Sequence, residues 1–464
     1  MNHVHLFGLA IVGFCALASR PLANDQRELP KPTPPQLAWQ EAELGVVFHY
    51  DLHVFDDKHY HQAKNRVEAV QDVDIFNPRE LDTDQWLKVA KTMGARFAIL
   101  TASHETGFRL WQSDANPYCL KAVKWGEGKR DIVAEFIASC KKHDIKPAIY
   151  LGTRWNSHLG VFDFKVTGSG PVNQEAYNRM IEKEVEEICT RYGPLFKLWF
   201  DGGAHGVAQG GPDVLGVFEK HQKDCLFYHS LERADARWGG SETGKVPYPC
   251  WATFPYPSTG AGESARKEIH ANRFALLKHG DPDGAFWMPA MSDAPLRNHE
   301  WFWDKGDEGK IYPLQSLIDM YYQSVGHNST LIIGLAPDNR GLVPEADARR
   351  CAEFGDAIRR IFKNCQGATE GHGPVLELQL DAPKRFDHIV LQENIREGER
   401  VREYVVEAKM DGAWKPIATG TCIGHKRIHR LDGPVTSGHL RLKINAATAT
   451  PLIRRLAIYD EGDE

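Results

Sequence analysis

From about residue 40 to residue 364, short apolar runs alternate with amphipathic stretches of helical period. This alternation is what most constrains the fold. Strands separated by helices build parallel sheets, because parallel neighbours need a long crossover between them. The predicted strands are Leu44–Phe48, Arg96–Leu100, Lys146–Leu151, Phe196–Phe200, Cys225–His229 and Thr330–Leu335. Helical patterns lie between them, among them Asp82–Met93, Asp131–His143 and Gln174–Tyr192, and Gly94 and Gly193 stand where C-caps belong. Length and repetition favour a (β/α)8-type barrel over residues 37–364 rather than an open doubly wound sheet. No G-x-G-x-x-G or Walker A motif follows a strand, which argues against nucleotide binding.

Beyond Gly371 the helical period stops and short alternating strands follow: Val375–Leu380, Asp387–Gln392, Arg402–Lys409, Ala413–Ala418, Arg427–Leu431, Gly438–Ile444 and Leu452–Tyr459. Asp411-Gly412 and Asp432-Gly433 supply turn chemistry. Residues 371–462 therefore read as a C-terminal β-sandwich, joined to the barrel through the helix Pro344–Asn364 and the stretch Gln366–Gly373.

The N-terminus and the cysteines indicate the compartment. Leu6–Ala18 is apolar over the length of a signal-peptide core and too short to span a bilayer. Small-residue cleavage sites follow, so residues 1–23 read as a signal peptide of an exported protein without a membrane span. None of the nine cysteines forms a C-x-x-C pair, which argues against a zinc ribbon or a redox dithiol. Most should be buried thiols, with one or two disulfides among them. The formal charge of −6 excludes the basic footprint of a nucleic-acid binder and leaves neutral glycans open.

In such barrels the chemistry sits at the C-terminal ends of the strands. Those ends carry His49-Tyr50-Asp51, His104-Glu105, Arg154-Trp155-Asn156, Asp201-Gly202-Gly203 and, further on, Glu232 and Arg237 to Glu242. Asp201 ends an apolar strand and precedes two glycines, so it can face an open site as a nucleophile, or else cap the following turn. His49 and His104 end adjacent strands; with Asp201 they could make a zinc set, although the usual H-x-H and H-E-x-x-H spacings are absent. His53 and His61 read as surface-loop residues.

These motifs carry a resemblance. Glu43 to Tyr50, Phe76-Asn77-Pro78, Leu81 to Trp86, Gly94 to Phe108, Leu198 to Gly202 and Thr330 to Pro337 match, in order, motifs of glycoside hydrolase family twenty-nine, the retaining α-L-fucosidases. The resemblance covers about residues 37–462. It implies Asp201 as nucleophile and a second carboxylic acid as acid/base, with no metal or organic cofactor. Arg237-Trp238-Gly239-Gly240-Ser241-Glu242 is similar to the acid/base segment of the family's linkage-specific branch and points to Glu242; Glu232, Glu263 and Glu300 are its rivals. It also implies a sugar pocket drawn from His49, Tyr60, His104, Glu105, Trp155, Arg237 and Trp301, and a fucosylated or related L-sugar glycan as substrate.

The chain departs from the family pattern in that pocket. Glu105 stands in place of a histidine, His59-Tyr60 in place of Glu-Trp, Met291 in place of a glutamate and Trp303 in place of a tyrosine. These changes leave α-L-galactosidase open, since an added hydroxyl is only modestly rejected by an apolar pocket. A non-catalytic carbohydrate-binding protein and a metallohydrolase are the readings from other classes.

Overall fold

The computed structural model describes residues 28–260, 273–298 and 300–462; the predicted signal peptide and Glu263 lie outside the described residues. Eight strands form one parallel sheet: β1 (Leu44–Phe48), β2 (Phe97–Ser103), β3 (Lys146–Leu151), β4 (Lys197–Ala204), β5 (Leu226–Ser230), β6 (Arg237–Trp238), β7 (Ala290–Pro295) and β8 (Thr330–Leu335). β1 pairs with both β2 and β8, which curls the sheet into a barrel. Between β5 and β6, which share no strand pairing, Asp235 N–H donates to Phe227 O at 3.0 Å and Phe227 N–H donates to Asp235 Oδ2 at 2.8 Å. Six strands were legible in the sequence; β6 and β7 were not. β6 has two residues, and Ala290-Met291-Ser292-Asp293-Ala294-Pro295 has neither an apolar run nor β-branched residues.

Every residue of β1, β2, β7 and β8 is buried, as parallel strands covered on both faces should be. The helices begin where their caps predict. Asp82 Oδ1 accepts from Asp84 N–H at 2.8 Å to open α1 (Thr83–Met93), and Gly94 closes it at φ 97°. Asp131 opens α2 (Ile132–Lys142) and Asn173 opens α3 (Gln174–Arg191) in the same way. The outer core lies between strands and helices. An inner core of Trp39, Val47, Ile99, Tyr150, Trp199, Tyr228 and Met291 fills the barrel.

The stretch 366–373, read from sequence as a linker, belongs to a strand up to His372. β9 (Cys365–His372) pairs antiparallel with β14 (Leu452–Tyr459), and the C-terminal sheet runs β9-β14-β10-β13-β11-β12 with β10 (Val375–Glu393), β11 (Val401–Met410), β12 (Ala413–Gly420) and β13 (Arg427–Ala447). β10 and β13 each merge two predicted strands. Their pairing shifts register between Gln379 and Lys384 and between Phe386 and His388, so the sheet folds over its own core of Phe386, Ile389, Leu391, Leu440 and Leu456 in a sandwich-like arrangement. Asn328 joins the two parts: its amide donates to Cys250 O at 2.9 Å and accepts from His425 N–H at 2.7 Å.

The eight cysteines of the described residues are all free thiols, seven of them buried. The expected one or two disulfides do not form among them. Among the described residues no helix is long and apolar enough to cross a membrane.

Candidate active site

Side chains two apart on a strand share a face. On β4 this places Lys197, Trp199 and Asp201 in line up the barrel interior, with Asp201 at the open end. A cavity of about 460 Å3 opens there, lined by Asp201, Glu242, Asp293, Trp155, Trp199, Tyr228, Trp238, Arg66, Arg154 and Phe162 among others. Of the residues expected from sequence, it brings together Asp201, Glu242 and Trp155.

Asp201 is surrounded by groups that favour its charge. Burial pushes its pKa up; a hydrogen bond from the Tyr150 hydroxyl, the Arg154 and Arg66 guanidiniums and the Gly202 N–H oppose this. Gly202 has φ 68°, and a Cβ there would lie 2.8 Å from Arg154 Cδ, so glycine lets the arginine lie against the backbone beside the carboxylate. Arg154 is in turn held by Asp163, 2.8 Å from its Nε. The indole of Trp155 lies between two guanidiniums, with Arg66 at 3.7 Å and Arg154 at 4.2 Å from its ring centroid. Glu242 is exposed to the cavity, and Trp301 Nε1 donates to its Oε2 at 3.2 Å.

Of the other expected residues, His49, His104, Glu105, Tyr60 and Trp301 cluster with one another and are not part of the cavity's lining. His104 stacks on Tyr150 at 5.4 Å, and His49 packs on Trp301 at 4.9 Å and on His104 at 5.7 Å. Burial pushes the His49 pKa down to about 3 and that of His104 well below its ordinary value, so both rings are neutral. The Nδ1 of each is buried without a hydrogen-bond partner in the protein. Arg66 Nε donates to Glu105 at 2.7 Å and the Tyr60 hydroxyl to Glu105 at 3.3 Å. Burial raises the Glu105 pKa to about 7 against the pull of Arg66.

Two expectations are corrected. Arg237 does not face the sugar pocket. Its side chain is fully buried, with Nε donating to Leu277 O at 3.0 Å and Nη1 to Met288 O, because β6 turns it toward the loop behind the barrel. His53 is not a surface-loop residue: it is buried, with Phe302 at 4.0 Å and Tyr60 at 4.9 Å from its ring. The zinc set of His49, His104 and Asp201 does not assemble either. Among the described residues the metal-ligand spacing occurs only at His59, Glu300 and Asp304. Glu232 lies outside the cavity beside Gly206, and Glu300 is held by Lys310 at 2.6 Å.

Sequence reasoning assigned no role to Tyr150, Arg66, Arg154 or Asp293. Tyr150 could have been found by its place one residue from the end of a predicted strand. Asp293 sits on β7, the strand that sequence did not show.

The chain matches the family model described as "Alpha-L-fucosidase" over residues 31–360. The chain belongs to the alpha-L-fucosidase family, a family of glycoside hydrolases. Residues 364–456 match the F5/8 type C domain model. Alpha-L-fucosidase 1 of Arabidopsis thaliana is 29% identical, covering 93% of this chain and 88% of the relative. A crystal structure of a Bacteroides thetaiotaomicron protein assigned to the alpha-L-fucosidases is 51% identical with a TM-score of 0.90, covering 93% of this chain and all of that one. A Ruminococcus gnavus fucosidase crystallised with fucose shares the fold at 23% identity and a TM-score of 0.77, covering 96% of this chain and 98% of that one.

Proposed function

We propose that this family member releases terminal α-L-fucosyl residues from oligo- or polysaccharides by double displacement. The observation that carries the reading is that Asp201 on β4 and Glu242 on the loop after β6 face one cavity at the C-terminal end of the barrel. Asp201 attacks the anomeric carbon while Glu242 gives its proton to the departing oxygen, leaving a glycosyl ester on Asp201. Glu242 then takes a proton from water, which attacks the same carbon and frees Asp201. The neutral rings of His49 and His104 offer hydrogen bonds to the sugar, and Trp301 offers an apolar face. The assembled cavity favours an enzyme over a non-catalytic binding protein.

The test is hydrolysis of aryl α-L-fucoside followed by proton NMR. α-L-Fucose should appear first and mutarotate later. Release of the β anomer first, or no turnover of any α-L-fucoside, defeats the proposal. Glu105, Arg66 and Tyr60 form a polar wall in place of the family's histidine, so aryl α-L-galactoside belongs in the same assay. Preferential turnover of it selects the α-L-galactosidase reading.

The charges around Asp201 predict a pH effect. The attacking carboxylate must be ionised, and Arg154 lowers its pKa. Arg154→Met should therefore move the acidic limb of kcat/KM to higher pH, by about one unit. An unmoved limb would show that Asp201 does not set it.

The apolar run Leu6–Ala18 and the small residues after it support export, with cleavage near Ala23. Mass spectrometry of the secreted protein checks it.

A further inference from the structure

The cavity holds a third carboxylate that the two-carboxylate mechanism does not use. Asp293 lies on β7, is only 5% exposed and lines the cavity with Asp201 and Glu242. Three links join it and its strand to the segment that carries Glu242. Trp238 Nε1 donates to Asp293 Oδ1 at 2.9 Å. Gly244 N–H donates to Asp293 O at 2.8 Å, and Gly239 N–H donates to Met291 O at 2.8 Å. The loop from Trp238 to Gly244 is thus tied at both stems to β7, with Glu242 at its crest.

We propose that Asp293 is a positioning residue for Glu242, holding the loop through Trp238 and Gly244 and placing a second carboxyl beside the acid/base. The proposal rests on the reading of Glu242 as acid/base. Among the described residues, charged or titratable groups on three elements act on Asp293. Glu242 on the loop after β6 is its strongest charged neighbour, followed by Asp201 and Lys197 on β4. Tyr228 on β5 also feels its charge. Lys197 lies below, its Nζ 4.2 Å from the Trp199 ring centroid and 3.0 Å from Met291 Sδ. Burial and the Glu242 charge raise the Asp293 pKa to about 8. In a pair of neighbouring carboxyls the last proton is lost less readily, whichever of the two carries it.

D293N tests this, because the amide oxygen can still accept from Trp238 while the charge is gone. The basic limb of kcat/KM should move to lower pH by about one unit. Turnover of a fucosylated oligosaccharide should fall by about 10-fold to 100-fold, and that of α-L-fucosyl fluoride, whose leaving group needs no proton, by much less. A purely structural Asp293 would lower both substrates equally and leave the limb in place, and that result overturns the proposal. If D293N does not fold, W238F breaks the side-chain link alone; equal loss on both substrates overturns the proposal there too. E242Q, run in parallel, separates the two readings. If E242Q treats both substrates alike, the acid/base assignment fails. If E242Q discriminates between them and D293N does not, only the present proposal fails.

Discussion

Asp201→Gly should lower kcat for aryl α-L-fucoside by about 10⁴-fold to 10⁶-fold, the scale seen when a covalent nucleophile is removed. That corresponds to about 5–8 kcal/mol on the barrier. The loss is large because the carboxylate supplies both the new covalent bond and the charge that stabilises the developing cation at the anomeric carbon. The surroundings of Asp201 remain: Tyr150, Arg154 and Arg66 still face the vacated space. Azide can enter there and attack in place of the carboxylate. Added azide should therefore restore turnover and yield a β-L-fucosyl azide, inverted because one displacement replaces two. Residual activity within tenfold of wild type, or rescue that gives an α-azide, would remove Asp201 from the nucleophile's role.

Arg109→Met should cost about 3–5 kcal/mol of stability, read as a fall in the denaturation midpoint. Arg109 and Glu184 are both buried, and the guanidinium grips the carboxylate twice, Nε to Oε1 at 2.9 Å and Nη2 to Oε2 at 2.8 Å. Asn116 adds a third contact to Glu184 at 2.9 Å. Removing only the arginine leaves a buried carboxylate without its counter-ion, which costs more than the pair contributes. The double variant R109M/E184M should recover much of the loss. The pair also has a functional consequence: it ties the segment after β2, which carries His104 and Glu105, to α3. Arg109 Nη1 donates to Gly107 O within that same segment. An exposed pair such as Arg179–Glu175 on α3 should show no comparable effect when broken. Equal effects from the two pairs would contradict the argument from burial.

Much of the barrel was legible because its signals are local. Asp82 and Asp131 announce their helices through hydrogen bonds to backbone two or three residues away, and Leu44–Phe48 announces itself by composition. β6 and β7 were not legible, because their strand character comes from pairing with β7 and β8 rather than from their own residues. The linker 366–373 became a strand for the same reason: its partner, β14, lies some eighty residues further on.

The site divides along the same line. Asp201 follows from sequence because its position depends on one apolar strand and two glycines. Glu242 follows from a motif. The sequence placed Arg237 in the pocket because it adjoins that motif, but the twist of β6 buries its guanidinium against backbone carbonyls. The sequence by itself determined six of the eight barrel strands, the barrel class and the place of Asp201 at a strand end, since each is set by residues close together in the chain. Only the tertiary structure decided which charges stand beside Asp201 and Glu242. Arg66 comes from the long loop after β1, Arg154 from the loop after β3 and Asp293 from β7, and Coulomb interactions depend on distance through space, not along the chain.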